Sequence, residues 1–358
     1  MSLHRFHNPV RTIAGQGALQ ALPDLLAGRR ALLLSFPEAG PLGLLDDLRA
    51  QVVAVIDTIT PNPDIADLAA LYDEVWRHDA EVLIALGGGS VIDSAKAVLA
   101  GTPGGTFDAI AALLREGTRF DMPRCKALIA VPTTAGTGSE VTPWATVWDR
   151  EQQRKHSLQL DITWPEAAIV DPALMMKLPA AVTLQSGLDA LSHALEALWN
   201  RHANPVSDAL AVSAARSIVS TLPALMKQLD DPALREAMAL AALQAGLAFS
   251  NTRTALAHSL SYPMTLRHGL PHGIACSFTL PLVARLAIGR DAGRDALLAQ
   301  ALDVPAQQVP ARLESLLHTL GVRTSFADYG VGEAEAAALL DEALLGDRGR
   351  NFIGAASA

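Results

Sequence analysis

The first half of the chain alternates short, unbroken apolar runs with segments of helical periodicity. "RALLLS" (30–35), "VVAVID" (52–57), "EVLIALGGGS" (81–90) and "ALIAVPTT" (127–134) read as buried strands. Between them, "DIADLAALYDEVWRHD" (64–79) spaces its apolar residues as an amphipathic helix does. Continuous apolar strands alternating with helices predict a parallel α/β sheet. Beyond about residue 180 the pattern changes. "LQSGLDALSHALEALWN", "PVSDALAVSAARSIVSTLPALMKQL" and "PALREAMALAALQAGLAFS" are rich in alanine and leucine, with few β-branched runs, and read as consecutive helices. The change falls near "DPALMMKLPA" (171–180), whose two prolines suit a connection. The expected division is an α/β domain over 1–178 and an all-helical domain over 179–358. The terminal "RGRNFIGAASA" reads as a weakly ordered tail, with packing of its end as the alternative.

Composition narrows the function. Half of the 358 residues are hydrophobic and 18% are charged, enough apolar material for a packed core. The net charge of −9 argues against a nucleic-acid footprint, which needs a basic surface. No apolar run reaches the roughly 18 residues of a membrane span, and "MSLHRFHNPVRTIAG" lacks the apolar core of a signal peptide. Cys125 and Cys276 make neither a disulfide framework nor a spaced metal motif, which fits a reducing cytoplasm. The expected partner is a small-molecule substrate, with no nucleic acid and no membrane, and the expected assembly is a homodimer.

Two loops carry candidate chemistry. "IALGGGSVIDSAKAV" places three glycines after an apolar strand and before a helix. Glycine lets a backbone approach a ligand closely, and a helix start offers unpaired N–H groups to a phosphate. The run is neither G-x-G-x-x-G nor a P-loop, and a tight turn capped by Ser90 accounts for it equally well. "VPTTAGTGSEVT" (131–142) also follows an apolar strand and is rich in hydroxyls and glycine. Two such loops at strand carboxyl ends suit one crevice for a diphosphate-containing cofactor.

The helical half carries histidines. In "SGLDALSHALEAL" (186–198), Asp189 and His193 stand four apart and so share a helix face. Alone, such a pair serves as readily for a local hydrogen bond as for a metal. "ALAHSLSYPMTLRHGLPHGIACS" adds His258 in a helical pattern and His272 in a loop or at a new helix start, with His268 nearby. One carboxylate and three imidazoles suit iron(II) or zinc. The helical domain would supply the metal and the α/β domain the cofactor, with the reaction in the cleft between.

At this point the chain resembles the iron-containing (metal-dependent) alcohol dehydrogenase family over nearly its whole length. The matching segments are "GGGSVIDSAKAV", "IAVPTTAGTGSEVT", "AAIVDPALMMKLP", "SGLDALSHALEAL" and "LAHSLSYPMTLRHGLPHGIA". The resemblance implies a dehydroquinate synthase-like architecture, with a dinucleotide-binding α/β domain and a helical domain. It implies a divalent metal, Fe2+ or Zn2+, held by Asp189, His193, His258 and His272. It implies NAD or NADP bound by Gly87, Gly88, Gly89, Ser90, Asp93, Thr133, Thr134 and Thr137, with Lys155 matching a family lysine close to the cofactor. Catalysis would be hydride transfer between the nicotinamide and a carbonyl carbon, with the metal polarising the carbonyl.

The chain departs from the family pattern twice. Many members carry a further histidine four residues after the third ligand; here that position is Tyr262, a proton donor or a packing surface for the cofactor ring. Many NAD-specific members end the first strand on an aspartate; here Ser35 and Phe36 stand there, and Ser35 offers a hydroxyl to a 2′-phosphate. Trp144, Phe249 and Tyr262 are expected to line the substrate pocket. His156, Arg253, Arg267 and His268 are expected to meet an anionic tail, or equally to be solvated charges. The variant "TLRHGLPHG" resembles the branch that includes phosphonoacetaldehyde reductases, with maleylacetate reductases as a second related branch. A 3-dehydroquinate synthase-like cyclase is the alternative from another reaction class, and the few lysines of the second half count against it. A non-catalytic binding protein is a third reading, opposed by the four intact ligand positions.

The first strand's end yields a prediction. With no carboxylate to hold the ribose 2′-hydroxyl or repel a 2′-phosphate, NADH and NADPH should give kcat/KM values within about a thousandfold with one aldehyde, roughly 4 kcal/mol. A larger preference for NADH would mean that a carboxylate reaches the ribose, and repeating the ratio with Glu38→Gln would show whether Glu38 is that group.

Overall fold

The four apolar runs are four neighbouring strands of one parallel sheet. The computed structural model describes residues 3–355. Its strands are β1 (Arg11–Ala14), β2 (Ala31–Leu34), β3 (Ala54–Ile56), β4 (Val82–Gly87), β5 (Ala127–Pro132), β6 (Trp144–Asp149), β7 (Arg154–Gln159) and β8 (Ala167–Val170). Six of them form the sheet β1-β8-β5-β4-β2-β3; β6 and β7 pair as a separate antiparallel hairpin. The helices of this half are α1 (Leu22–Leu26), α2 (Ile65–Arg77), α3 (Gly89–Val98) and α4 (Asp108–Glu116). The apolar runs are unbroken because both faces of the sheet are covered. Leu32, Leu34, Leu83 and Ala85 enter one core with Leu68 and Ile92, while Leu33, Ile84 and Leu86 enter another with Leu22 and Leu25.

The chain leaves β2 toward β3 on one side and, from β4, proceeds to β5 on the other. The order therefore reverses between β2 and β4, and the carboxyl end of β4 is the GGGS loop. Open α/β sheets bind ligands at such a reversal. Asp64 caps α2 by accepting from the Ala66 amide at 3.0 Å. The short β1 and β8 and the β6–β7 hairpin escape the sequence pattern. β1 has a partly exposed run of four residues, and β7, "RKHSLQ", is polar and mostly solvent-facing.

The chain forms two compact units, neither a continuous stretch. The α/β unit comprises Pro9–Thr134 and Ser139–Lys177; the helical unit runs from Leu178 onward and takes in Ala135–Gly138 and the N-terminal residues through Asn8. The helical unit contains α5 (Ala180–Leu198), α6 (Pro205–Leu225), α7 (Pro232–Thr252), α8 (Leu256–His268), α9 (His272–Ser277), α10 (Leu280–Ala287), α11 (Ala292–Leu302), α12 (Val309–Thr319) and α13 (Glu333–Leu345). From Gly187 to Leu198 every residue of α5 is buried, so this helix has no solvent face for its polar residues. Among the described residues, no helix is long and apolar enough to cross a membrane.

The expectation of a weakly ordered tail is corrected over its described part. Phe352 is buried and bridges Asn200, and the Arg201 amide donates to the Asn351 carbonyl at 2.8 Å. Burying the Phe352 ring holds the segment down; residues 356–358 of the expected tail lie outside the described residues.

The α/β unit buries a polar network beside the glycine loop. Lys96 of α3 is 1% exposed, and its ammonium donates to the Ser139 carbonyl and hydroxyl and to the Trp144 carbonyl at 2.6–2.9 Å. Burial lowers Lys96 to about 8, against the pull of Asp93 and Glu140. Burial raises Glu140 to about 7. The unfolded carboxyl ionises near 4.3, so between there and about 7 the folded state holds a proton that the unfolded state has lost. Stability should therefore fall with rising pH across that window. Glu140→Gln should flatten this part of the curve of unfolding free energy against pH, as read from urea titrations between pH 4 and 8.

Candidate active site

The glycine loop sits where β4 ends. Gly88 is the N-cap of α3 and no side chain caps that helix, so its first N–H groups are not satisfied by a capping residue; no acidic residue stands in the first turn. The Thr133 amide donates to the Gly87 carbonyl at 3.0 Å, which ties this loop to the one after β5. A Cβ on Gly87 would lie 2.5 Å from the Val91 side chain, and one on Gly88 would lie 3.3 Å from Thr134. The loop therefore tolerates no side chain at Gly87, and its bare backbone with the uncapped helix start suits a phosphate.

The other residues expected at the cofactor are less uniform. Ser90 lies in the first turn of α3 rather than capping it, and its hydroxyl accepts from the Asn62 amide at 3.1 Å. The Asp93 carboxylate accepts from the Ser139 hydroxyl and from the Thr146 amide, so much of its bonding capacity goes into holding β6 to α3. Thr133 is buried and Thr134 half-buried; Thr137 lies in the segment that belongs to the helical unit. Lys155 places its ammonium 5.5 Å from the Trp148 ring. Ser35 is fully buried, and its hydroxyl donates to the Leu86 carbonyl at 2.8 Å. That proton ties β2 to β4, which leaves the expected donation to a 2′-phosphate without a proton.

The helical unit gathers the histidines around Asp189. His193 Nε2 lies 3.7 Å from Asp189 Oδ1, His258 Nε2 3.3 Å and His272 Nε2 3.8 Å. Asp189, His193 and His258 are buried, while the His272 side chain is 38% exposed. Burial alone would raise the Asp189 carboxyl, but His193, His258 and His272 outweigh it and hold the group far below the usual carboxylate range. Burial lowers His193 to about 4, and its ring stacks between Phe249 and His258 at 4.0 and 4.6 Å.

Two further residues complete the cluster, and neither is among the candidate ligands that the sequence pattern singles out. Glu196 is fully buried; its carboxylate accepts from His258 Nδ1 at 2.7 Å and from the Ala255 and His258 amides at 2.9 and 3.1 Å. It both caps the start of α8 and turns the His258 ring so that Nε2 faces Asp189. Against the cost of burial, Glu196 and Asp189 raise His258 to about 9. The signal was present, since Glu196 follows His193 by three residues on the same helix face. Cys276 brings Sγ to 3.5 Å from Asp189 Oδ1. Ligand atoms of Asp189, His258, His272 and Cys276 all lie within 4.8 Å of one another. A carboxylate and convergent imidazoles, buried and oriented by an outer carboxylate, fit a divalent metal.

Position in α9 depends on a glycine. A Cβ at Gly273 would lie 2.0 Å from the Gln185 carbonyl oxygen of α5. Bare backbone there lets α9 touch α5 and carries His272 and Cys276 to Asp189.

Among the expected pocket residues, Phe249 covers His193, and Tyr262 stands one turn beyond His258 on α8. Burial, then the charges of Glu196, Cys276 and Asp189, outweigh Arg348 and push the Tyr262 phenol up to about 12. The Arg348 guanidinium lies 4.9 Å from the Tyr262 ring centre, a basic neighbour that the sequence did not reveal. Arg267 and Arg253 are exposed, and His268 lies 3.3 Å from Glu335. In the α/β unit, Trp144 is half-buried and His156 lies 3.8 Å from Asp149.

A glycine loop with an uncapped helix start at a sheet reversal and, in the other unit, a buried carboxylate–imidazole cluster each fit the parts of a nucleotide-linked metalloenzyme. Residues 9–172 match the model of the iron-containing alcohol dehydrogenases, and residues 183–352 match that of the C-terminal region of the same family. The chain belongs to the iron-containing alcohol dehydrogenase family. It is 31% identical over 349 residues to the NAD-dependent methanol dehydrogenase of Bacillus methanolicus, covering 92% of this chain and 90% of the relative. It is 36% identical over 282 residues to the phosphonoacetaldehyde reductase of Streptomyces viridochromogenes, covering 75% and 71%. Among solved structures it is similar to the sulfoacetaldehyde reductase of Bifidobacterium kashiwanohense in complex with NAD+. That match has a TM-score of 0.89 and 29% identity, over 98% of this chain and 95% of the other.

The glycine contact is directly testable. Gly273→Ala should cost about 1–3 kcal/mol of stability by overpacking and should loosen metal binding, because α9 must move away from α5. Urea unfolding and metal content after gel filtration read the two effects; unchanged values in both would show that α9 is placed by other contacts.

Proposed function

We propose that this dehydrogenase reduces a small aldehyde with an anionic tail, and that Asp189, His193, His258 and His272 hold its metal while Gly87 to Ser90 seat the cofactor diphosphate. One observation carries the reading: a buried carboxylate, Asp189, ringed by three imidazoles, on a helix with no solvent face there. When bound, the metal supplies Lewis acidity toward the substrate oxygen and the nicotinamide supplies or takes the hydride.

The chain's own residues provide placement and proton control. Glu196 fixes the His258 ring, and Phe249 shields His193 from water. Tyr262, at about 12, keeps its proton at neutral pH and so stands as a hydrogen-bond donor for the substrate oxygen. Arg348, beside the Tyr262 ring, is the guanidinium best placed to meet an anionic tail. The similarity to relatives whose names specify phosphonoacetaldehyde and sulfoacetaldehyde supports a two-carbon aldehyde with such a tail. The proposal includes a homodimer in the cytoplasm; neither cysteine is in a disulfide, which suits a reducing compartment.

A panel of short aldehydes tests this. Phosphonoacetaldehyde or sulfoacetaldehyde should exceed propanal in kcat/KM, and Arg348→Gln should erase about ten- to a hundredfold of that advantage, mostly through KM, as expected for one charge-assisted hydrogen bond. Equal turnover of charged and neutral aldehydes would overturn the anionic-tail reading. Full activity of His258→Ala in metal-stripped buffer would overturn the metal site.

A further inference from the structure

We propose that Cys276 is itself a metal ligand, joining Asp189, His193, His258 and His272 in the coordination sphere and biasing the site toward soft divalent ions such as zinc. The inference rests on the metal reading above and adds a donor that the Asp–His set does not contain.

The geometry points to it in three ways. Cys276 follows His272 by four residues on α9, so the thiol and the imidazole project from one face of the helix. Its Sγ belongs to a group of four ligand atoms that lie within 4.8 Å of one another. An ion with bonds of roughly 2.0–2.3 Å at tetrahedral angles sets its ligand atoms about 3.3–3.8 Å apart; Asp189 Oδ1 already lies 3.3 Å from His258 Nε2, 3.8 Å from His272 Nε2 and 3.5 Å from Cys276 Sγ, so side-chain rotations close the site around one ion. Finally, Cys276 is fully buried in a polar cluster, 3.5 Å from Asp189 Oδ1 and 3.5 Å from the Gly273 carbonyl. A thiol serving only to fill space would be expected against apolar neighbours.

A thiol binds as the thiolate, so loading the metal breaks the S–H bond, forms the metal–sulfur bond and releases one proton to solvent. No electron is transferred. Sulfur raises affinity for zinc and cobalt far more than for manganese, which favours oxygen donors. The choice of metal would then be set by a residue outside the Asp–His set.

The test uses the full-length protein stripped of metal and titrated with cobalt(II). Visible d–d bands report that cobalt has bound, and an intense near-ultraviolet thiolate-to-cobalt band reports sulfur in the coordination sphere. The wild type should show both. Cys276→Ser should keep the d–d bands and lose the thiolate band, while Cys125→Ser, a change at the exposed cysteine, should keep both. Chelator competition should show zinc affinity of Cys276→Ser falling by more than the roughly tenfold that removing even an outer contact to a ligand costs, with manganese affinity nearly unchanged. Cobalt d–d bands without a thiolate band in the wild type would overturn the role of Cys276 and leave the metal site standing. The absence of any cobalt spectrum would overturn the metal reading itself. If Cys276→Ser fails to fold, the wild-type spectrum alone still decides.

Discussion

An ionised carboxylate buried in an apolar helix is costly unless positive charge or strong donors surround it. Asp189 imposes that condition on the helical unit. Its helix, α5, is buried on all sides from Gly187 to Leu198, so water cannot meet the need. The partners must come from other segments: His258 from α8 and His272 from α9, with His193 from one turn along α5. Glu196 repeats the pattern one level out, since its buried carboxylate is satisfied by the His258 ring and by the first amides of α8. The same bonds that stabilise Glu196 aim His258 at Asp189, so stability and site geometry share one set of contacts.

The α/β unit solves a similar problem with the opposite charge. Lys96 is buried on α3, and three acceptors from Ser139 and Trp144 satisfy its ammonium. Those bonds, with Asp93 accepting from Ser139 and Thr146, hold β6 and the segment after Ser139 against the helix whose start is the glycine loop. The loop itself has no capping side chain. A buried polar network behind it ties the neighbouring segments to α3 without using a side chain to cap the helix start. Asp93, expected at the cofactor, also takes part in this scaffold.

Much of the fold was legible in the sequence. The apolar runs at β2, β3, β4 and β5, the periodicity of α2 and the alanine- and leucine-rich, unbranched runs of α5, α6 and α7 are strong because burial on both sheet faces, or the helix propensity of those residues, leaves few alternatives. The elements that escaped were short or two-sided in polarity: β1, the "RKHSLQ" strand β7 and the four residues of β8. Such strands are specified by pairing with neighbours rather than by their own composition. In the site, the spacing of Asp189 and His193 was readable because both sit on one helix, whereas Arg348 beside Tyr262 joins residues 86 positions apart and has no local signature.

By itself the sequence determined the long apolar strands and the longer helices and singled out glycines and histidines as candidates for chemistry, since each depends on local pattern or residue type. Only the tertiary structure decided which donors share one centre. Cys276 looked unremarkable in sequence, because its partners lie on two other helices and the contact exists only where bare Gly273 lets α9 rest on the Gln185 carbonyl of α5. Ser35 looked available to a ligand, because nothing in "LLLSFPEAG" reveals that its proton goes to the Leu86 carbonyl on the adjoining strand. Both outcomes come from hydrogen bonding and steric fit between segments far apart in the chain, which local pattern does not encode.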